Sequence, residues 1–272
     1  MSRRGRGLAT DTGAEGADFR SLHENGAFII PNPWDAGSAR VLEALGFKAL
    51  ATTSSGFAFT LGRLDGGATL DEVIDHVRLL DRSTSLPVSV DLENGHGPDP
   101  EDAAAAIVCA ADAGAVGASI EDYDPENEIY GLDHAVDRIA AASEAAMRLS
   151  FPFMLTARAE NHIRGNPDLE DTITRLLAYE RAGADVLYAP GLRSGAEIRD
   201  VCDAVSRPVN VLAHAGLSVA EIVDAGARRI SVGGALAWVA VGAMVDAAEK
   251  ILDEGDFSSL DVPVQINEWL EG

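Results

Sequence analysis

PVSVDLENGHG, residues 87–97, decides the fold. Val88, Ser89 and Val90 run straight into Asp91, and Glu93 follows two positions later. Asn94-Gly95-His96-Gly97 then turns the chain. A short run, apolar enough to be buried on both faces and ending in an acid, is what a parallel barrel strand looks like when it delivers a functional group to its C-terminal rim. The same pattern recurs in GASIEDYD (117–124), which reaches Glu121, and in FMLTARAEN (153–161), which reaches Arg158. Three acids and one arginine at consecutive strand ends point to a divalent metal beside an anionic substrate.

Outward from that centre, short apolar runs alternate with helical patterns. Strands are expected at 27–31, 48–53, 87–91, 116–120, 153–157, 185–189, 208–212 and 228–232. Helix starts are expected at Asp35, Thr69, Asp99 and Ser218. Gly46, Gly114, Gly183 and Gly226 sit where a left-handed residue ends a helix before the next strand. Eight such units in one series, with no linker dividing them, predict an α/β fold, a (β/α)₈ TIM barrel. The competing doubly wound sheet would want a glycine-rich turn after its first strand, and IIPNPWDAG offers only Gly37. Extra C-terminal helices are expected at about 235–253 and 262–270, packing on a neighbouring subunit. Residues 1–18 are read as a flexible lead-in and 19–272 as a single barrel domain.

Composition narrows the partners. A formal net charge of −23 repels nucleic acid and anionic lipid. No apolar run approaches a membrane span, and the start lacks the apolar stretch of a signal peptide, so a cytoplasmic protein is expected. Lys48 and Lys250 are the only lysines, and neither falls at an expected strand end, which argues against a Schiff base. Cys109 and Cys202 lie in helical patterns and read as buried small hydrophobes, without disulfide or zinc spacing.

If the third strand continues to Glu93, Asp91 and Glu93 point the same way into the barrel mouth. Two carboxylates forced together repel unless a proton or cation lies between them. With Glu121 they form an oxygen-rich, histidine-poor nest that suits Mg²⁺ or Mn²⁺ better than Zn²⁺; His96 reads as a loop residue. Arg158, flanked by alanines, needs an anion: a substrate carboxylate, or a salt bridge to Glu121, Glu160 or Glu93. Thr53-Ser54-Ser55-Gly56-Phe57 follows the second strand and offers hydroxyl and N–H donors to a carboxylate. Gly233-Gly234, after the eighth strand, reads as close packing in preference to a phosphate cradle. The stretch from Tyr123 to Asp133, acidic and broken by Pro125, reads as a mobile lid too polar to pack.

Together these segments, with NPWDAGSARVLEALGFKALATTSSG before them and RRISVGGALAW after them, resemble the isocitrate lyase/phosphoenolpyruvate mutase superfamily. DLENGHG is similar to its metal loop, with Glu93 in place of an aspartate, and SIEDYD, ARAEN and RLDGG are similar to its other signature segments. The resemblance implies a helix-swapped homo-oligomer, a dimer or tetramer. It implies Mg²⁺ held by Asp91 directly and by Glu93, Glu121 and Asp65 through water. It implies a small 2-oxo acid whose carboxylate meets Ser55, Gly56, Phe57 and Arg158, with Asn210 facing the substrate. Arg158, Glu121 and Asp65 are the catalytic candidates. The family's lyases carry a cysteine in the loop after the fourth strand, and its mutases a lysine and an asparagine. Here DYDPENEIYGLDHAVDRI holds Asn127 but neither cysteine nor lysine. The expectation is therefore a Mg²⁺-dependent lyase cleaving a C–C bond of a 2-oxo acid through an enolate, as in oxaloacetate decarboxylation or retro-aldol cleavage. The alternatives are phosphonopyruvate hydrolase- or mutase-like P–C chemistry, or a non-catalytic 2-oxo-acid-binding barrel.

Overall fold

The computed structural model describes residues 12–125 and 128–271. In chain order its strands are β1 (Phe28–Ile30), β2 (Leu50–Ala51), β3 (Val88–Asp91), β4 (Gly117–Glu121), β5 (Tyr123–Asp124), β6 (Glu128–Ile129), β7 (Met154–Arg158), β8 (Val186–Tyr188), β9 (Val209–Leu212) and β10 (Arg229–Ser231). The main helices are α1 (Thr12–Glu24), α2 (Ala36–Ala44), α3 (Ser54–Thr60), α4 (Leu70–Ser83), α5 (Pro100–Asp112), α6 (Leu132–Met147), α7 (Leu169–Arg181), α8 (Gly195–Ala204), α9 (Val219–Asp224), α10 (Ala235–Glu254) and α11 (Ile266–Glu271). Eight strands form one parallel sheet in the order β1-β10-β9-β8-β7-β4-β3-β2. A bond from the Ala51 amide to the Pro31 carbonyl (3.1 Å) spans the gap between the first and last strands. The result is a nearly closed (β/α)₈ barrel, with each of the eight expected strands in place.

Local chemistry accounts for the boundaries. Asp35, Thr69, Asp99 and Ser218 are the N-caps of α2, α4, α5 and α9. Gly114 and Gly183 follow α5 and α7 with φ of 105° and 104°, a region that costs a residue with a Cβ more than it costs glycine. Valine, isoleucine, leucine and alanine fill the shell between sheet and helices.

Two expectations about the chain change. The lead-in does not extend to residue 18, because residues 12–18 belong to α1; residues 1–11 lie outside the described part. Phe19 is fully buried against Ile30, Val116, Met154 and Val186, at the N-terminal end of the barrel, and anchors the helix there. Cys109 is exposed and Cys202 half-buried. In α5 the buried positions are Ala103, Ala106, Ile107, Ala110 and Ala111, so Cys109 falls on the other face.

Beyond β10 the chain departs from the barrel. In α10 only Ala237 is buried, while Trp238, Val239 and Leu252 are 46%, 69% and 84% exposed. Gly234 leads into it at close quarters, since a Cβ there would meet the Trp238 indole and the Ser55 hydroxyl. No described helix is long and apolar enough to cross a membrane.

Candidate active site

The rim of the barrel gathers the strand-end residues. β4 pairs with β7 so that Glu121 stands opposite Arg158, and β7 pairs with β8 so that Arg158 stands opposite Tyr188. The Arg158 guanidinium reaches Glu121 Oε2 from Nε at 3.3 Å and Asp91 Oδ2 from Nη1 at 3.7 Å, and it pairs closely with Glu160. Its charged centre lies 5.2 Å from the Tyr188 ring centroid. The salt-bridge reading of Arg158 thus holds for Glu121 and Glu160, two of its three named partners.

Asp91 ends β3 and is fixed on both sides. Its amide donates to Thr52 Oγ1 (2.8 Å), and its Oδ1 accepts from the Ser119 hydroxyl (3.1 Å) and the Glu93 amide (3.3 Å). The strand does not continue to Glu93. That residue turns into the left-handed region, φ 50°, and its carbonyl accepts from the Glu121 amide at 2.8 Å. A non-glycine residue held at positive φ beside a functional cleft is strain that the surroundings must support. The turn, not strand alternation, brings the Glu93 carboxylate to the mouth. A cavity of about 180 Å³ opens there, lined by Ser54, Asp65, Gly66, Glu93, Glu121, Tyr123, Pro125, Arg158 and Arg164.

Five carboxylates (Asp65, Asp91, Glu93, Glu121, Glu160) and two guanidiniums (Arg158, Arg164) share this region. Burial, then Asp91 and Asp65, push the Glu93 carboxyl up to about 7. Burial raises Glu121 well above its ordinary range; Arg158 opposes the shift, while Glu160, Asp91 and Glu93 add to it. Burial disfavours the charge of Arg158, yet Glu121, Glu160, Tyr188 and Asp91 hold its pKa above the usual arginine value. Acids that resist ionisation at neutral pH mark a site short of positive charge. Among the described residues no three His, Cys, Asp or Glu side chains already stand as a closed metal cage. Magnesium needs no such cage: it binds through one or two carboxylates and keeps several waters. The all-oxygen donors at this mouth fit that ion. His96 takes φ 59° and its Nε2 is buried without a partner among the described residues; burial lowers its pKa.

Several sequence candidates lie elsewhere. Phe57 stacks on His76 at 4.2 Å, and Gly56 packs against Trp34. The amides of Gly56 and Phe57 are already bonded to Thr53, as cap and first turn of α3, and Ser55 Oγ lies 3.2 Å from Thr53 Oγ1. It is Ser54, not Ser55, Gly56 or Phe57, that faces the mouth cavity. Asn210 is buried in β9, below the rim, bonded to Ser231 and Arg229, and lines an interior cavity that reaches up to Asp91 and Arg158.

Other residues at the site escape a reading of strand ends. Glu160 is fully buried between Arg158 and Arg164, and its amide donates to Asp122 Oδ1 at 2.7 Å. Asp122 in turn binds Arg175 at 3.0 Å and the Tyr179 hydroxyl. Arg164 stacks over Tyr123 at 3.8 Å. A signal exists in ARAENHIR, where Glu160 and Arg164 stand four apart. The lid expectation also changes. β5 and β6 pair as an antiparallel hairpin, and Asp124 and Tyr130 are buried, with the Tyr130 amide bonded to the Asp122 carbonyl at 2.9 Å. Asn127, the mutase-like position, lies outside the described residues.

The family model of phosphoenolpyruvate phosphomutase matches residues 19–252, nearly the whole chain. The chain belongs to this family. Among solved relatives of this phosphomutase family, a protein of Burkholderia cenocepacia J2315, provisionally classed as a lyase/mutase, superposes with a TM-score of 0.93 at 49% identity. That match covers 96% of this chain and 97% of the other. Oxaloacetate acetylhydrolase in complex with its product oxalate superposes at 0.84 with 27% identity, covering 94% of each chain. The 2-methylisocitrate lyase of Escherichia coli K12 is 31% identical over 205 residues, 71% of this chain and 68% of that protein.

Proposed function

We propose that this family member is a Mg²⁺-dependent lyase that cleaves a C–C bond of a small 2-oxo acid through an enolate. The observation that carries the reading is the Arg158 cluster: a half-buried guanidinium on the rim, facing Asp91, Glu121 and Glu160 at the mouth of a cavity of about 180 Å³. Relatives named for cleaving 2-methylisocitrate and oxaloacetate support the bond type.

Each residue then has a role in physical terms. Asp91, oriented by Ser119 and the Glu93 amide, would be the direct metal ligand, and Glu93, Glu121 and Asp65 would act through water. When bound, the ion would supply positive charge for the chelating end of a 2-oxo carboxylate and its ketone oxygen. Arg158 grips the same carboxylate with its planar fork. Ser54 adds a donor from the α3 side, in the place assigned by sequence to Ser55. Glu121, whose carboxyl burial pushes above its ordinary range while Arg158 opposes the shift, is the rim group placed to hold or move a proton at its Oε atoms. Neither cysteine shares that role. Cys109 is exposed on α5, and burial pushes Cys202 on α8 up to about 11. Arg164 over Tyr123 covers the outer wall and limits water entry.

The enzyme works as an oligomer in this reading. An apolar α10 with one buried residue needs cover, and a second copy of the chain supplies it by exchanging this helix.

The test is pyruvate release from oxaloacetate, phosphonopyruvate and 2-methylisocitrate, with Mg²⁺ and with chelator. Mg²⁺-dependent release from a C–C substrate is the expected result. Release from phosphonopyruvate alone would move the assignment to P–C cleavage, and no turnover of any substrate would leave a binding barrel.

A further inference from the structure

Barrel interiors are ordinarily packed with branched apolar side chains. Below the rim this one is polar, and at its centre lies Arg229 of β10, 5% exposed. Its Nε donates to Asn210 Oδ1 (2.9 Å) and its Nη2 to Thr156 Oγ1 (3.0 Å), both neutral acceptors. Its Nη1 is buried with no partner among the described residues. Burial lowers the guanidinium's pKa to about 10, with Tyr188 alone pulling the other way. The group still carries its charge at neutral pH. A buried cation without a counter-charge is costly, and hydrogen bonds to neutral oxygens leave its charge uncompensated.

Arg229 lines a cavity of about 60 Å³ that also touches Asn210, Tyr188 and Ser231, with Asp91 and Arg158 at its upper end. That is roughly the room of two waters in the liquid, enough for a halide or one carboxylate group. Asp91 would repel an anion near the rim, but Arg158 lies 3.7 Å from it there. The lower end has Arg229 and no such acid among its lining residues.

We propose that the lower end of this interior cavity, beneath Asp91 and Arg158, is an anion site in which Arg229 Nη1 holds one compact monoanion. The anion is either a free halide or a carboxylate arm of a ligand entering from above; the chemistry at Arg229 is the same. It completes the arginine's hydrogen bonds and balances a buried guanidinium that the rim acids leave uncovered. The inference stands on the interior alone, whatever bond the mouth cleaves.

The experiment uses the intact protein. Crystals soaked in bromide should give an anomalous peak in hydrogen-bond reach of Arg229 Nη1. In solution, thermal midpoint is followed against chloride or bromide at constant ionic strength set with gluconate, which is too large for the cavity. Above half-saturation each tenfold rise in halide should raise the midpoint by about 3 °C, and Arg229→Met should abolish the dependence. Halide-free crystals soaked with oxalate form the second arm: a carboxylate on Nη1 identifies the ligand as the source, whereas bromide alone identifies the free ion. Water only in the cavity in both soaks, or a halide response unchanged in Arg229→Met, overturns the proposal. If that variant does not fold, the wild-type crystals decide by themselves.

Discussion

Replacing Glu93 with glutamine keeps the side chain's size and removes its ionisation. Burial, with Asp91 and Asp65 beside it, raises this carboxyl from 4.5 to about 7. Between those values the folded chain holds a proton that the unfolded chain has already released. The group's contribution to stability is full below about pH 4.5 and is lost as pH climbs to about 7. The interval corresponds to about 3.5 kcal/mol, at about 1.4 kcal/mol per pH unit. Glu93→Gln has no such loss. In chelator, it should match wild type near pH 4 and exceed it by about 3.5 kcal/mol at pH 8, a midpoint difference of roughly 7–14 °C for a domain of this size. Added Mg²⁺ should reverse the ranking by stabilising the wild type at pH 8, where Glu93 is ionised, and the variant much less. Thermal melts at four pH values, each with EDTA and with Mg²⁺, measure all of this. Identical midpoints for the two proteins at pH 8 in EDTA would refute the claim that Glu93 is a repelled, cation-seeking acid.

Three further outcomes are expected. Asp91→Ala should lose Mg²⁺ binding in titration calorimetry while its circular dichroism stays that of the folded barrel; unchanged affinity would remove Asp91 from the metal site. Arg158→Lys keeps the charge but not the fork, and should weaken oxalate binding by about 2 kcal/mol, roughly 30-fold; equal binding would make Arg158 purely structural. Hydrogen exchange at the Tyr130 amide should already be slow without ligand, because that amide is bonded to Asp122 inside a buried network; fast exchange in the free protein would restore the mobile-lid reading.

The parts legible in the sequence are those where one residue breaks a pattern. Asp91, Glu121 and Arg158 each end an apolar run, so strand alternation and the barrel rule suffice to place them. Glu93 reaches the mouth by a different geometry from the one its spacing suggests: Asn94-Gly95 signals a turn, but the left-handed turn begins at Glu93 itself. Ser55, Gly56 and Phe57 illustrate a different failure. Donors counted along a sequence are free only if the helix they open does not use them, and here the Thr53 cap and first turn take two of the three. Cys109 misleads because a helix built of alanine carries little contrast between its faces. Glu160 and Arg164 stand four apart in ARAENHIR, but their contacts with Arg158, Asp122 and Tyr123 come from the fold and not from that spacing.

Arg158 and Arg229 divide the barrel interior by charge. Arg158 is surrounded by acids, and its pKa is held above the ordinary arginine value. Arg229, deeper, meets the neutral partners Asn210 and Thr156 among the described residues, and burial lowers it to about 10. In a medium that screens poorly, a surplus of negative charge at the mouth and an uncovered positive charge below it attract each other across the cavity they share. A cation at Asp91 would relieve the upper imbalance and, by weakening that attraction, sharpen the lower one. The metal at the rim and the anion beneath it should therefore bind with positive coupling. Linkage makes this reciprocal: halide at Arg229 should tighten Mg²⁺ by the same factor by which Mg²⁺ tightens halide. Mg²⁺ titrations in chloride and in gluconate measure that factor, and equal Mg²⁺ affinity in the two salts would show that the sites are electrostatically independent.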